Sequence, residues 1–342
     1  MTGPILIWGA GAIGGTLGAA FIRAGHDVVF VDTAADHIAS INASGLKIAG
    51  PIFQDTLRAP AFLPENLTGQ FDRIFLCVKA IHTEAAAKAL LPHLSESGVV
   101  VSAQNGLNEI VIADVIGRAR TIGCFVNFGA DYLDPGVVHF SGRGAVVIGE
   151  LDGSTTERIR ALHHLLLDFE PNAVLSDNIW GYLWGKLVYG ALLFATALTN
   201  DSIADALADP RYRSVLSDLG REVGAVAKAE GIKTEAFNGF DPAAFAPGGS
   251  QAAVDASFND MVAHNRTSTK SHSGIWRDLA VRKRRTEADA QLGPVVEAGK
   301  RNGVPTPLTS RVMELIKDIE AGRKTFSPDN LALVAKAKES IA

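Results

Sequence analysis

Ile5-Leu6-Ile7-Trp8-Gly9-Ala10-Gly11-Ala12-Ile13-Gly14 is the stretch that decides the fold. Four apolar residues read as a short buried strand, and the glycines after them stand in the Gly-x-Gly-x-x-Gly order of a strand-to-helix turn. The first glycine permits the tight turn, the second lets the backbone approach a pyrophosphate, and the third allows close helix packing, with the helix N-terminus facing the anion. Ile13, Leu17 and Phe21 then fall on one helical stripe that Gly25 can end. Asp32 closes the next apolar run, Val28-Val29-Phe30-Val31. There a carboxylate can accept bonds from the ribose hydroxyls of NAD and repel a 2′-phosphate. Gly9, Gly11, Ala12, Ile13, Gly14 and Asp32 are therefore the candidate dinucleotide-binding residues. Asp32, followed by Thr33, favours NADH, and NADPH stays open.

Further short apolar runs follow at Ile74-Phe75-Leu76-Cys77-Val78 and Val99-Val100-Val101. Strands buried on both faces of a parallel sheet read this way, with helices as crossovers. The first half is accordingly an α/β, Rossmann-type doubly wound domain. Thr83 can cap a helix running to about Leu94. Val137-Val138-His139-Phe140 and Ala145-Val146-Val147-Ile148 flank Ser141-Gly142-Arg143-Gly144 and predict a hairpin at the domain edge. Ser154 with Glu157 forms a candidate capping box for a helix to about Phe169, and a short segment Ala173 to Ser176 follows. Beyond it, helical patterns recur around Ile179 to Leu198, Tyr212 to Glu230, Gln251 to His264, Ile275 to Asn302, Leu308 to Glu320 and Asp329 to Ile341. Phe237 to Gly249 reads as a loop among them. These patterns predict a Rossmann domain over 1–176 and an all-helical domain over 177–342.

Composition excludes several classes. With 32 Lys+Arg against 37 Asp+Glu, the net charge of -5 lacks the basic excess that phosphate-backbone binding demands. Arg282-Lys283-Arg284-Arg285, with Asp278, Glu287 and Asp289 on the same predicted helix, reads as a solvated face and not a nucleic-acid patch. Cys77 and Cys124 fit neither a disulfide framework nor a zinc site, and suit a reducing compartment. His163-His164 lacks a matching ligand cluster, so no metal is expected. The first 22 residues are uncharged, but the first cation is Arg23, at the wrong end for a signal peptide. The uncharged run Leu187 to Asn200 is shorter than the roughly 20 residues of a spanning helix. A cytoplasmic protein with no membrane partner is expected.

The glycine turn, the strand ending Val78-Lys79-Ala80, the strand leading into Gln104-Asn105-Gly106-Leu107, and Lys186-Leu187 in the helical half together resemble the ketopantoate reductase (2-dehydropantoate 2-reductase) family. Thr286-Glu287-Ala288-Asp289 and Gly303-Val304-Pro305-Thr306-Pro307 are similar to late motifs of the same family. The resemblance implies a helical domain like that of 6-phosphogluconate dehydrogenases, serving substrate binding and dimerisation, with a homodimer among the expectations. It also implies a cleft between the domains, reduction of a 2-oxo acid with NAD(P)H, and a place in pantothenate biosynthesis.

Reduction of a ketone needs a proton donor at the developing alkoxide, and a lysine partly desolvated in a cleft can serve. Lys186 is that candidate; the alternative is a lysine snorkelling from a core helix. Glu287 would orient it or the substrate hydroxyl, unless it merely pairs with Arg284 or Arg285. Asn105 and Lys79, at strand ends, can reach cofactor, and Asn105 also substrate; helix capping and an ordinary strand-end lysine are the alternatives. The chain departs from the family in three places. Gly190 and Phe194 replace asparagines four and eight residues after the lysine, and Gly274 replaces a serine that meets the substrate carboxylate. Lys270, His272 and Ser273 are the candidate replacements for that serine. A related reductase acting on another oxo acid, and a nucleotide-sensing protein without turnover, are the rival readings.

Overall fold

The computed structural model describes residues 3–267 and 271–338. It comprises two compact units, Met1–Ile179 and Trp180–Ala342. In the first, the strands are β1 (Ile5–Trp8), β2 (Val28–Val31), β3 (Leu46–Ala49), β4 (Asp55–Leu57), β5 (Ala61–Phe62), β6 (Phe71–Leu76), β7 (Leu94–Ser102), β8 (Thr121–Val126), β9 (Gly129–Asp134), β10 (Val137–Gly142), β11 (Val146–Glu150) and β12 (Val174–Leu175). Its helices are α1 (Ala12–Arg23), α2 (Ala35–Ser44), α3 (Thr83–Leu90), α4 (Asn108–Ile116) and α5 (Glu157–Phe169).

Eight strands form one sheet in the order β12-β11-β8-β7-β6-β1-β2-β5. The run β5-β2-β1-β6-β7-β8 is parallel throughout and has the 3-2-1-4-5-6 order of the dinucleotide-binding fold. The order reverses between β1 and β6, so the crevice at their carboxyl ends is the switch point. One face packs Leu6, Ile74, Leu76 and Val100 against α3 and α4. The other packs Ile5, Ile7, Phe30 and Phe75 against α1 and α5.

A second sheet, β4-β3-β10-β9, covers the far side of α1. This placement explains why α1 has no charged residue before Arg23. A Cβ on Gly14 would meet Gly9 O at 2.0 Å, one on Gly18 the Phe30 ring at 2.4 Å, and one on Gly15 Val138 Cγ2 at 3.1 Å. The helix is squeezed between two sheets, and small residues are what fit.

The second sheet corrects the hairpin expected over Gly136 to Leu151. β10 pairs antiparallel with β9 and parallel with β3, whereas β11 belongs to the large sheet and pairs antiparallel with β8. A Cβ on Gly144 would lie 2.1 Å from Asn127 O, so the Ser141–Gly144 segment passes close to another backbone as the chain changes sheet. The cap of α5 is also shifted: Thr156, not Ser154, accepts the Ile159 N–H at 3.2 Å, while Ser154 bonds Asp152.

In the second unit the described helices are α6 (Ile179–Thr196), α7 (Ile203–Ala208), α8 (Pro210–Ala229), α9 (Gln251–Thr267), α10 (Gly274–Ala280), α11 (Ala288–Asn302), α12 (Pro307–Glu320) and α13 (Pro328–Ala337). Phe245 fills the centre between α8 and α9, with its ring 5.8 Å from Phe258 and against Gly220, and its backbone carbonyl against Gly224. The helix expected over Ile275 to Asn302 is broken. Asp278, 4% exposed, accepts from Arg282 Nη1 and Arg284 Nε, both at 2.9 Å. Gathering those guanidinia around one buried carboxylate turns the chain, with Lys283 at φ 50°. Among the described residues no helix is long and apolar enough to cross a membrane.

Candidate functional site

The glycine turn stands at the switch point. Gly9 has φ +100°, and a Cβ there would lie 2.8 Å from Val78 N and 3.0 Å from Cys77 C, so the turn is pressed against the end of β6. Gly11 is the N-cap of α1 and no side chain caps it. A Cβ on Gly11 would meet nothing within 4 Å. The first amides of α1 thus open onto free space, with Ala12, Ile13 and Gly14 forming the first turn, an arrangement suited to a pyrophosphate.

Asp32 follows β2 and is held by two backbone donors. Ala10 N–H reaches Oδ2 at 2.9 Å and Ala34 N–H reaches Oδ1 at 3.0 Å. A carboxylate offers about four lone-pair positions, so each oxygen keeps one for a vicinal ribose hydroxyl. The residues fit a dinucleotide.

A buried polar network that the sequence reading did not single out supports the other strand ends. Gln104 Nε2 donates to Val78 O and to Thr83 Oγ1, both at 2.8 Å, and Thr83 Oγ1 donates to Asn108 Oδ1 at 2.9 Å. Asn108 Nδ2 donates to Asn105 O at 2.7 Å. The loops carrying Lys79 and Asn105 are thereby tied together at the carboxyl edge of β6 and β7. Lys79 is half-exposed and Asn105 exposed. Asn105 does not cap α4, whose N-cap position is Leu107. Glu109, in the first turn of α4, is fully buried, and that burial pushes its carboxyl up to about 8.

In the second unit Lys186 lies in the second turn of α6 on a half-exposed stripe with Tyr182, Tyr189, Gly190 and Leu193. Asn265 Nδ2 donates to the Tyr189 hydroxyl at 3.2 Å, and burial pushes that phenol up. Phe194 is 0% exposed. Its side chain is core packing, because it lies off that stripe. Glu287 occupies the N-cap position of α11, half-exposed. Arg284 bonds Asp278, and Arg285 bonds Asp289. Ser273 is buried and accepts the Trp276 N–H at 3.2 Å as the cap of α10. His272 stacks on Trp276, ring centroids 4.0 Å apart, and contacts Asn200 O at 3.2 Å. Gly274 is open, with nothing within 4 Å of an added Cβ. Lys270 lies outside the described residues.

A doubly wound sheet with an open phosphate turn in one unit, and a helical second unit, define an NAD(P)-dependent oxidoreductase. The model of the ketopantoate reductase PanE/ApbA family matches residues 5–153, and the model of its C-terminal domain matches residues 178–320. The chain belongs to the ketopantoate reductase family. It is 29% identical to a 2-dehydropantoate 2-reductase of Archaeoglobus fulgidus over 93% of this chain and 98% of that one. A PanE/ApbA family ketopantoate reductase structure from Ralstonia eutropha JMP134 is similar with a TM-score of 0.80 at 26% identity, covering 94% of this chain and 100% of that chain. D-mandelate dehydrogenase, solved with NADH and anilino(oxo)acetate, shares the fold with a TM-score of 0.82 at 22% identity, over 94% of this chain and 99% of that chain.

Proposed function

We propose that the protein reduces a 2-oxo acid to the 2-hydroxy acid with NADH, and that ketopantoate is its substrate. A bound NADH supplies the hydride. Lys186 donates the proton to the oxygen that becomes the hydroxyl, and Glu287 orients Lys186 or that hydroxyl. Asn105 and Lys79 hold the nicotinamide end of the cofactor, Asn105 also touching substrate, while Asp32 receives the ribose hydroxyls. His272, Ser273 and Lys270 supply the carboxylate contacts that Gly274 cannot. The observation that carries the reading is Lys186 itself. It stands where the resemblance puts the family lysine and is half-exposed on α6 between Tyr182 and Tyr189.

A second reading, a bulkier 2-oxo acid, has its own support. Gly190 and Gly274 leave empty space where the family has polar side chains, and the D-mandelate dehydrogenase of the same fold was solved with an aryl-bearing oxo compound. Initial rates with ketopantoate and a series of longer and aryl 2-oxo acids, each with NADH and NADPH, decide between them. The highest kcat/KM for ketopantoate with NADH is the expected result. No oxidation of either cofactor with any oxo acid would overturn both readings.

A further inference from the structure

The hairpin of the small sheet brings an aromatic side chain to the ribose end of the nucleotide turn. Tyr132 on β9 is paired directly with Val138 on β10. Side chains of directly opposed antiparallel residues lie on one face, and the Val138 side chain is the one beside Gly15 of α1. The Tyr132 ring therefore faces α1 and α2, and it stands 5.0 Å from the His37 ring at 66°.

His37 is itself fastened to the turn. Gly136 N–H donates to Nδ1 at 2.8 Å, so Nδ1 carries no hydrogen, and Nε2–H donates to Ala10 O at 2.9 Å. One neutral tautomer thus bridges the glycine turn to the β9–β10 connection. Ala10 also gives its N–H to Asp32, so the ribose carboxylate, the turn and the tyrosine are joined through one residue. Tyr132 is half-exposed. Burial and then the charges of Asp36, Asp32 and Asp134 push the phenol up, and Asp36, in the first turn of α2, accepts the His37 N–H at 2.8 Å.

We infer that Tyr132 forms the outer wall of the adenosine-ribose site and that Asp36 joins Asp32 in excluding a 2′-phosphate, with His37 positioning both walls. The inference rests on the dinucleotide reading of the glycine turn. A phenol can donate to a ribose oxygen and lay its ring along the adenosine, and two carboxylates repel a phosphate that carries up to two negative charges.

Calorimetric titration of the full chain with ADP-ribose, NADH and NADPH tests this. Tyr132→Ala should weaken ADP-ribose and NADH about tenfold. Tyr132→Phe, which keeps the packing on His37, should lose a smaller part of that affinity. It also carries the test if the alanine variant does not fold. Asp36→Asn should raise NADPH affinity several-fold with NADH within twofold of wild type. Unchanged ADP-ribose affinity in Tyr132→Phe, together with unchanged affinity in Tyr132→Ala or failure of that variant to fold, overturns the wall. An unchanged NADPH affinity in Asp36→Asn overturns its part in the exclusion. A wild type that binds NADPH more tightly than NADH, with Tyr132 variants weakening both, would instead overturn the NADH preference and leave the tyrosine contact standing.

Discussion

The backbone N–H of Ala10, inside the glycine turn, donates to Asp32 Oδ2 at 2.9 Å. The carboxylate proposed to receive the ribose hydroxyls therefore also closes the glycine turn, and a substitution at Asp32 acts on both. Asp32→Ala should leave the Ala10 amide unpaired and lower stability by about 1 to 3 kcal/mol, besides relieving repulsion of a 2′-phosphate. Asp32→Asn keeps an acceptor oxygen and removes the charge. Its kcat/KM for NADPH relative to NADH should rise at least about tenfold, the equivalent of 1.4 kcal/mol, with a smaller loss of Tm than the alanine variant. A ratio equal to wild type in both variants would remove Asp32 from ribose recognition.

Lys186 is best tested with methionine, which retains an unbranched apolar stem on α6. As a proton donor, its loss should lower kcat by roughly 100-fold or more while NADH binding, measured by titration, stays near wild type. As a snorkelling lysine, it would show little change in kcat, because the stem supplies the packing.

Much of this was legible in the residues, and the reasons are local. An apolar run ending in Gly9 announced β1, and one ending in Asp32 announced β2. The second sheet was not legible, because β3, β4 and β9 are short, and β9 reads half-exposed along most of its length. Neither was the break after Ala280, since Arg282, Lys283 and Arg284 are ordinary helix residues until Asp278 draws two of them inward. The network of Thr83, Gln104 and Asn108 was not legible, Thr83 having read as a helix cap, because the three bond one another across 21 to 25 residues of sequence. The one signal for them was Gln104-Asn105-Gly106 at a strand end.

Glu109 predicts a pH dependence of stability. Its folded value of about 8 lies well above its ordinary 4.5, so between those values the folded chain holds a proton that the unfolded chain has released. Stability must then fall as pH rises from about 4.5 to 8, and the penalty is complete above the folded value. Below about 4.5 both states are protonated and the group contributes nothing. Glu109→Gln, close in shape and uncharged, should flatten this slope and be more stable than wild type at pH 9, measured by urea unfolding from pH 5 to 9. Parallel curves for the two proteins would show that the Glu109 carboxyl is not protonated at neutral pH in the fold.

Gly190 and Phe194 differ in what they can tell about the substrate. With roughly 100° per helical residue, Gly190 stands about 40° around α6 from Lys186, Leu193 about 20°, and Phe194 about 80°. Phe194 is fully buried, so Phe194→Asn should cost about 3 to 5 kcal/mol through lost apolar burial and the cavity together, and the stranded amide adds to that. Any loss of activity it causes would reflect folding. Gly190→Asn is the informative change, since an added Cβ meets nothing within 4 Å and the amide returns to the family's position. One recovered hydrogen bond of about 0.5 to 1.5 kcal/mol should raise kcat/KM for ketopantoate by about two- to tenfold. If the pocket is shaped for a longer or aryl tail, the same variant should lower kcat/KM for that substrate. Equal losses on both would place Gly190 away from the bound acid, and the empty space beside it would then have no bearing on substrate choice.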